Sequence, residues 1–206
     1  DGWWGGDRSK PPKSPFGNFP WDSPEGLQYA GEFAKQFTDH VKKTFPDINF
    51  YAYLYDEPPA KVHAVLSKIT NELHKAAPDL KIFIPKHVSR DIGYVYAWSV
   101  PFAPGFLHPE LQKAELAAGH EIWYYNWAVR LDSHEYIRTR LYPWQIFSAD
   151  GSGGLLWNTI FTPKGINPWT DMDKTHACGG ATIFYPPRKP GEGMIASLRS
   201  AQIRES

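Results

Sequence analysis

Apolar residues along the chain follow two different spacings. At helical spacing, they line one face of residues 27–41 and one face of residues 62–73. Short runs that are apolar and aromatic nearly throughout predict β-strands at 48–55, 80–85, 95–100, 121–127 and 153–160. Such runs are expected where both faces of a strand are covered, so the pattern favours a parallel sheet flanked by helices.

Local signals place several helix boundaries. Ser23-Pro24-Glu25 predicts a helix start, with a capping hydroxyl, a proline at the first helical position and an acid in the first turn. Residues 108–119 predict a helix that ends at Gly119, and residues 135–147 predict one with a kink near Pro143. The remaining predicted elements are a strand or hairpin at 181–187 and a helix at 197–204.

Strands that alternate with helices predict βα units. No G-x-G-x-x-G follows the first strand, and "GSGG" at 151–154 lacks the Lys-Ser/Thr of a phosphate loop, which disfavours a nucleotide-binding doubly wound fold. We therefore predict an α/β fold of the (β/α)8 TIM-barrel class. Only about five βα units are present where a barrel needs eight, so the chain is interpreted as its C-terminal part. Residues 1–206 are predicted to form a single catalytic-barrel domain or fragment, with an irregular Trp-, Gly- and Pro-rich loop at 1–22 and the βα units and C-terminal hairpin at 23–206.

The composition of the chain limits the classes of molecule that it is expected to bind. Lysine plus arginine (22) equals aspartate plus glutamate (22), so the basic footprint of a nucleic-acid-binding protein is missing. No apolar run is long enough to predict a membrane span. Cys178 is the only cysteine, which excludes an intramolecular disulfide and leaves the compartment unknown. Aromatic residues make up 16% of the chain, with nine tryptophans, and this surplus is typical of clefts that stack on sugar rings.

The stretch "NFYAYLYDEPPAK" (49–61) carries the strongest candidate chemistry. Asp56 and Glu57 follow a predicted strand directly, at the strand end where barrel enzymes place catalytic groups. Neighbouring residues of a regular strand point to opposite faces, so both carboxylates reach one site only if the backbone leaves strand geometry, which Pro58-Pro59 favours. The alternative interpretation is a polar turn whose acids favour the dipole of the next helix.

Two neighbouring carboxylates suit one form of glycoside hydrolysis. In most glycosidases two separate carboxyl groups flank the scissile bond. In the substrate-assisted variant, the sugar's own 2-acetamido carbonyl attacks the anomeric carbon. One acid then protonates the leaving group, while its neighbour orients the acetamido nitrogen as an oxazolinium forms.

Several motifs resemble one known family. "FYAYLYDEPP", "GHEIWYYN", "RTRLYPWQIFSADGSGGLLWNTI" and "IFYPP…ASLRSAQIRE" occur in the order found in the catalytic domain of glycoside hydrolase family 123, across roughly residues 45 to 205. The resemblance implies a retaining β-N-acetylgalactosaminidase on a TIM barrel that uses substrate-assisted catalysis. By motif, it implies that Glu57 is the general acid/base and that Asp56 positions the acetamido group. It also implies an extracellular or periplasmic location and a glycan or glycolipid substrate with a terminal amino sugar.

Other residues are secondary candidates for substrate binding. Tyr125, near the end of a predicted strand, could bond the acetamido carbonyl, or it could be a rim aromatic. Trp157 could form the floor under the sugar, with Asn158 contacting a hydroxyl, and Trp98 is a weaker candidate of the same kind. No cofactor or metal is expected: the acids, histidine and cysteine of "WTDMDKTHAC" (169–178) match neither a calcium loop nor a zinc site.

Two further hypotheses stay open. One is a related glycosidase with another sugar specificity. The other is a catalytically inactive, carbohydrate-binding barrel fragment, in which the aromatics bind sugar and the acid pair has no role. The oligomeric state cannot be read from the sequence.

Overall fold

The computed structural model of the chain describes residues 19–127, 137–157, 165, 167, 169–171 and 183–205. The helices are α1 (Pro24–Thr44), α2 (His63–Ala76), α3 (Pro109–Ala117), α4 (Ile137–Ser148) and α5 (Leu198–Arg204). The strands are β1 (Tyr51–Tyr53), β2 (Lys81–Pro85), β3 (Ala97–Pro101), β4 (Glu121–Trp127), β5 (Gly153–Trp157), β6 (Phe184–Tyr185) and β7 (Ile195–Ala196).

The chain divides into two compact units. The first includes residues 19–100 and 105–121, and the second includes residues 101–104 and the described residues from 122 onward. In the first unit β1, β2 and β3 lie side by side in that order and are parallel, and in the second unit β4 and β5 form a parallel pair. Because β1 and β2 are connected through α2, and β4 and β5 through α4, the fold is mixed α/β with the connectivity of part of a (β/α) barrel. The predicted α/β class is confirmed, and the eight-stranded TIM barrel stays a prediction.

The start of α1 follows from local sequence. Ser23 is its N-cap, and the Gly26 N–H donates to Ser23 Oγ over 3.1 Å. Pro24 occupies the first helical turn, where its missing N–H costs nothing. The predicted cap is therefore confirmed. The helix buries Ala30, Ala34 and Val41, while several aromatic rings on its other side stay exposed.

The connection between β2 and β3 differs from the predicted alternation of strands and helices. It contains a single 3₁₀ turn, Arg90–Ile92, and no α-helix. Gly93 follows with φ of +78°, and a Cβ at this position would lie 2.8 Å from Thr70 Oγ1 in α2. The chain thus passes too close to α2, in a left-handed backbone conformation, for any residue with a side chain to fit without strain.

The two faces of the first unit's sheet differ in character. Residues paired in parallel strands share a face, and Ile84 pairs with Trp98. Both are buried, and the Trp98 indole N–H donates to Glu115 Oε2 of α3 over 3.2 Å. This face is therefore the one covered by helices. Tyr53 and Phe83, which pair with each other, lie on the opposite face.

A polar cluster ties together the starts of the first unit's strands. The Tyr51 hydroxyl lies 3.0 and 3.1 Å from the two Glu121 carboxylate oxygens, and Lys81 Nζ lies 3.4 Å from Oε1. Lys81 Nζ also lies 4.7 Å from the centroid of the Tyr96 ring. Burial lowers the pKa of Lys81, but the hydrogen bond to Tyr96 and the charges nearby more than offset this and leave it raised. Burial, followed by Glu121, raises the pKa of Tyr51.

Glycine is required where β4 and β5 pair in the second unit. Trp123 pairs with Gly153, and a Cβ added to Gly153 would lie 2.7 Å from the Trp123 indole. Behind the pair, the buried Tyr142 hydroxyl of α4 hydrogen-bonds the carbonyl oxygens of Tyr124 and Leu155. Burial raises the pKa of Tyr142 strongly, so its hydroxyl stays a donor. The "GSGG" segment thus packs strands and helix closely together.

The described C-terminal part is a hairpin followed by a helix. Strands β6 and β7 pair antiparallel; β6 lies within the range 181–187 predicted as a strand or hairpin, whereas β7 lies beyond it. Ser197 caps α5 by accepting from the N–H groups of Arg199 and Ser200. No helix of the described residues is long and apolar enough to cross a membrane. The predicted strand at 48–55 is shorter than expected, at Tyr51–Tyr53, because β2 pairs with only those residues. Residues 1–18 of the loop predicted at 1–22 lie outside the described part, as do residues 158–160 of the predicted strand, and a single domain over 1–206 stays a prediction.

Candidate active site

Asp56 and Glu57 lie just beyond the C-terminal end of β1. The Leu54 N–H makes the last bond to β2, to Phe83 O over 3.2 Å, after which the chain leaves the sheet. Glu57 has a φ of +42°, in the left-handed region that residues other than glycine rarely adopt. The following Pro58 is buried. The backbone therefore leaves strand geometry at the acid pair, and strained backbone of this kind is concentrated at functional sites.

Tyr53 holds one of the two acids. Its hydroxyl donates to Asp56 Oδ1 over 2.8 Å, and its ring contacts Phe83 with centroids 5.5 Å apart. The bond fixes the direction of a carboxylate that is only half-buried. Sequence reasoning missed this residue, although the spacing Tyr-x-x-Asp at a strand end is a usable signal.

His63 supports the backbone behind the pair. It is buried, and its Nε2 lies 3.2 Å from Pro58 O. A carbonyl oxygen only accepts, so Nε2 carries the proton in this contact. His63 Nδ1 lies 3.9 Å from Asp91 Oδ2. The turn after Glu57 is therefore held to the start of α2 by the hydrogen bond between His63 and Pro58.

Lys86 brings a positive charge to Glu57. It follows the last residue of β2, and because β1 and β2 are parallel their C-terminal ends lie at the same edge. Burial lowers the pKa of Lys86, while the negative charge of Glu57 acts in the opposite direction. The acid pair is thus part of a mixed cluster that holds both signs of charge.

An imidazole and aromatic cluster continues from Lys86. The ring of His87 lies 5.4 Å from that of His108 and 6.3 Å from that of Phe106, centroid to centroid. Burial lowers the pKa of His87, and the positive charges of Lys86, His108 and His63 lower it further. His87 is therefore neutral near pH 7. Among the described residues, no group of three or more His, Cys, Asp and Glu could hold a metal ion.

The other predicted site residues fall in different places. Trp98 is only 1% exposed and turns toward α3, so it offers no surface to a sugar ring. Tyr125 is half-buried in β4 of the second unit, paired with Leu155. Trp157 ends β5, where its backbone pairs with Trp127. Asn158 lies outside the described residues, as do Asp173, His176 and Cys178 of the acid-rich loop.

Two solved structures are similar to this chain. A family 123 glycoside hydrolase from Clostridium perfringens, studied for the hydrolysis of glycolipid glycans, matches with a TM-score of 0.57 and 12% identity, over 91% of this chain and 34% of that one. The chain thus spans about a third of that protein's length, and at this identity the likeness is one of fold. The cellulose synthase subunit Z (CcsZ) from Clostridioides difficile matches over 63% of this chain and 60% of that one, with 12% identity, but its TM-score of 0.36 carries no argument.

The sequence itself assigns the family. No curated protein matches it. A family profile described as "Glycoside hydrolase 123, catalytic domain" matches residues 12–206, which is nearly the whole chain. The resemblance found in the sequence motifs is thereby confirmed, and the chain belongs to glycoside hydrolase family 123.

Proposed function

We propose that this chain is the C-terminal part of a (β/α)8 barrel that removes terminal β-linked N-acetylgalactosamine with retention of configuration. The observation that carries the proposal is the acid pair of a family 123 domain, positioned beyond the end of β1 by the bond from Tyr53 to Asp56 and by the left-handed backbone at Glu57. Strand ends of this kind are where barrel enzymes carry their chemistry.

In the proposed first step, the acetamido carbonyl oxygen attacks the anomeric carbon as the glycosidic C–O bond breaks. Glu57 gives its proton to the leaving oxygen, and Asp56 accepts a hydrogen bond from the acetamido N–H, which stabilises the oxazolinium that forms. The bond from Tyr53 fixes the orientation of the Asp56 carboxylate that takes part in this step.

In the second step, Glu57 takes a proton from water, and the water oxygen attacks the anomeric carbon. The oxazoline ring opens, which restores the acetamido group. Two inversions at one carbon give net retention, and Glu57 serves first as acid and then as base. Tyr125 and Trp157 are proposed to bind the acetamido carbonyl and the apolar sugar face, with Asn158 on a hydroxyl. Trp98 is left out because it is buried.

The test is turnover of an aryl β-N-acetylgalactosaminide by Glu57→Gln and Asp56→Asn. Each change is expected to lower kcat by at least about a hundredfold, the lower range of general acid–base catalysis. Glu110→Gln, which alters an exposed acid at the start of α3, is the matched control and should keep full activity. Full activity of Glu57→Gln would exclude the proposed acid/base role.

The same assay separates the two other candidates. A related glycosidase with another sugar specificity would turn over a different β-glycoside and lose that activity in Glu57→Gln. An inactive carbohydrate-binding fragment would turn over none, and its sugar affinity would be unchanged in both acid variants.

A further inference from the structure

An exposed phenylalanine ring and an exposed imidazole each lie close to His87, in the segments that follow β2 and β3. Phe106 is 44% exposed, in a 3₁₀ turn that follows β3, and its ring lies 6.3 Å from that of His87. The ring of the exposed His108 lies 5.4 Å from that of His87, centroid to centroid. A Cβ added to Gly105 would meet nothing within 4 Å, so the backbone next to Phe106 borders open space. An exposed apolar ring and two imidazoles thus lie within one cluster.

The position of this cluster relative to the acids follows from Lys86. Lys86 is the chain neighbour of His87, and the Glu57 carboxylate acts on its ammonium group. A general acid must face the leaving oxygen that it protonates. Groups next to Glu57 on the side of Lys86 and His87 therefore adjoin the leaving group, provided that Glu57 has the role proposed above.

The chemistry of the cluster indicates a neutral sugar. Burial and the neighbouring positive charges lower the pKa of His87, so near pH 7 its ring has one N–H donor and one acceptor nitrogen. A sugar hydroxyl both donates and accepts hydrogen bonds, so hydroxyl groups can pair with either nitrogen of this ring. The aromatic face of Phe106 is electron-rich and suits the C–H bonds on one face of a pyranose ring. An anionic ligand would need a positively charged partner in the cluster. The nearby Lys86 already interacts with the negative charge of Glu57, so a neutral ligand is favoured.

We propose that Phe106, His87 and His108 form a subsite for the leaving-group sugar, which is a neutral hexopyranose. The assignment of this sugar to the leaving group rests on the proposed function, whereas the binding of a sugar to the cluster does not. The subsite lies entirely within the first unit.

The test compares two substrates of the full chain. One is a disaccharide in which N-acetylgalactosamine is β-linked to methyl galactoside, and the other is methyl β-N-acetylgalactosaminide, which has no leaving-group sugar. Phe106→Ala is expected to lower kcat/KM for the disaccharide about tenfold, mainly through KM, and to leave the methyl glycoside unchanged. Phe45→Ala removes an equally exposed ring elsewhere (46%) and should change neither. Equal effects of Phe106→Ala on both substrates, or no effect on either, would overturn the subsite.

A binding measurement separates this proposal from the previous one. The probe is the sulfur-linked, non-hydrolysable analogue of the disaccharide, titrated calorimetrically into the wild type and both variants. About tenfold weaker binding in Phe106→Ala alone supports the subsite even if the chain hydrolyses no glycoside, in which case only the proposed function fails. If the wild type hydrolyses the disaccharide but Phe106→Ala binds the analogue as tightly as the wild type does, the proposed function is supported and the proposed subsite is contradicted. Failure of the wild type to bind the analogue would also contradict the subsite.

Discussion

The Tyr53 hydroxyl donates a 2.8 Å hydrogen bond to Asp56 Oδ1, so a residue inside β1 orients a carboxylate three positions later, beyond the strand end. The orientation of the Asp56 carboxylate is therefore set before substrate binds. Preorganised groups of this kind contribute to catalysis because they need little rearrangement during the reaction.

Tyr53→Phe tests that relationship. It removes the hydroxyl and keeps the ring that contacts Phe83, so the melting temperature should not change. We expect kcat to fall about tenfold, the rate equivalent of one hydrogen bond to a charged group, with little change in KM. Tyr29→Phe, at a similarly exposed tyrosine of α1 (46%), is the control. Wild-type kcat in Tyr53→Phe would show that Asp56 is positioned by other means.

His87 should make stability depend on mildly acidic pH. Its pKa is lowered from 6.5 in the folded chain, so the unfolded chain binds a proton more readily. The stability contributed by neutral His87 is complete above pH 6.5 and is lost as pH falls through the lowered pKa. Urea unfolding at pH 7.5 and 5.0 should show a smaller acid-side loss in His87→Gln than in the wild type. The exposed His40→Gln should lose as much as the wild type, and equal losses in all three chains would contradict the prediction.

Replacement of Gly153 by alanine should destabilise the second unit. The added Cβ would lie 2.7 Å from the Trp123 indole, and that ring can yield only by moving within the strand pair. Overpacking of this kind costs about 1–3 kcal/mol in the free energy of unfolding. Gly193→Ala is the control because nothing lies within 4 Å of its new Cβ. Equal stability of the two variants in chemical denaturation would show that the β4–β5 pair tolerates the side chain.

The polar cluster at the strand starts predicts a contrast between two ion pairs. Lys81 and Glu121 are 23% and 20% exposed, whereas Lys35 and Asp39 of α1 are both 64% exposed. Glu121→Gln leaves Lys81 half-buried without its counter-charge and should cost about 1–3 kcal/mol of stability. Asp39→Asn should cost under about 0.5 kcal/mol, since exposed pairs within one helix contribute little. Equal costs would show that burial does not decide the strength of these pairs.

Stability should also fall at alkaline pH through this cluster. The pKa of Tyr51 is raised above 10.0 and that of Lys81 above 10.5, so the folded chain holds both protons longer than the unfolded chain. This stability is complete below pH 10 and is lost as pH rises through the raised values. Glu121 contributes to both shifts, so Glu121→Gln should flatten the loss measured by urea unfolding between pH 9 and 11. An equally steep loss in the variant would assign the dependence to other groups.

Local signals predicted much of this fold, while contacts between strands decided the rest. The Ser23 cap and the end of α3 before Gly119, which has a φ of +83°, depend on neighbouring residues only and could be predicted. The length of β1 depends on where β2 lies, and so does the meeting of Glu57 with Lys86. Neither the length of β1 nor the approach of Lys86 to Glu57 can be predicted from composition or from spacing along the sequence.

The same limit applies to the candidate site. The acid pair could be found from its position after a strand, because barrel chemistry concentrates there. The burial of Trp98 could not be recognised without the register that pairs it with Ile84 on the helix-covered face. The cluster around His87 was missed because Phe106 and His108 come from a different strand–helix connection.

The most direct test of the central claim, that Asp56 and Glu57 support attack by the substrate's own acetamido group, is inhibition by N-acetylgalactosamine-thiazoline. This compound mimics the bicyclic oxazolinium. The wild type should bind it at least about a hundredfold more tightly than N-acetylgalactosamine, as expected for a mimic of a reaction intermediate. Asp56→Asn should lose most of that preference. A wild-type chain that hydrolyses the substrate yet binds thiazoline no better than the free sugar would contradict acetamido assistance.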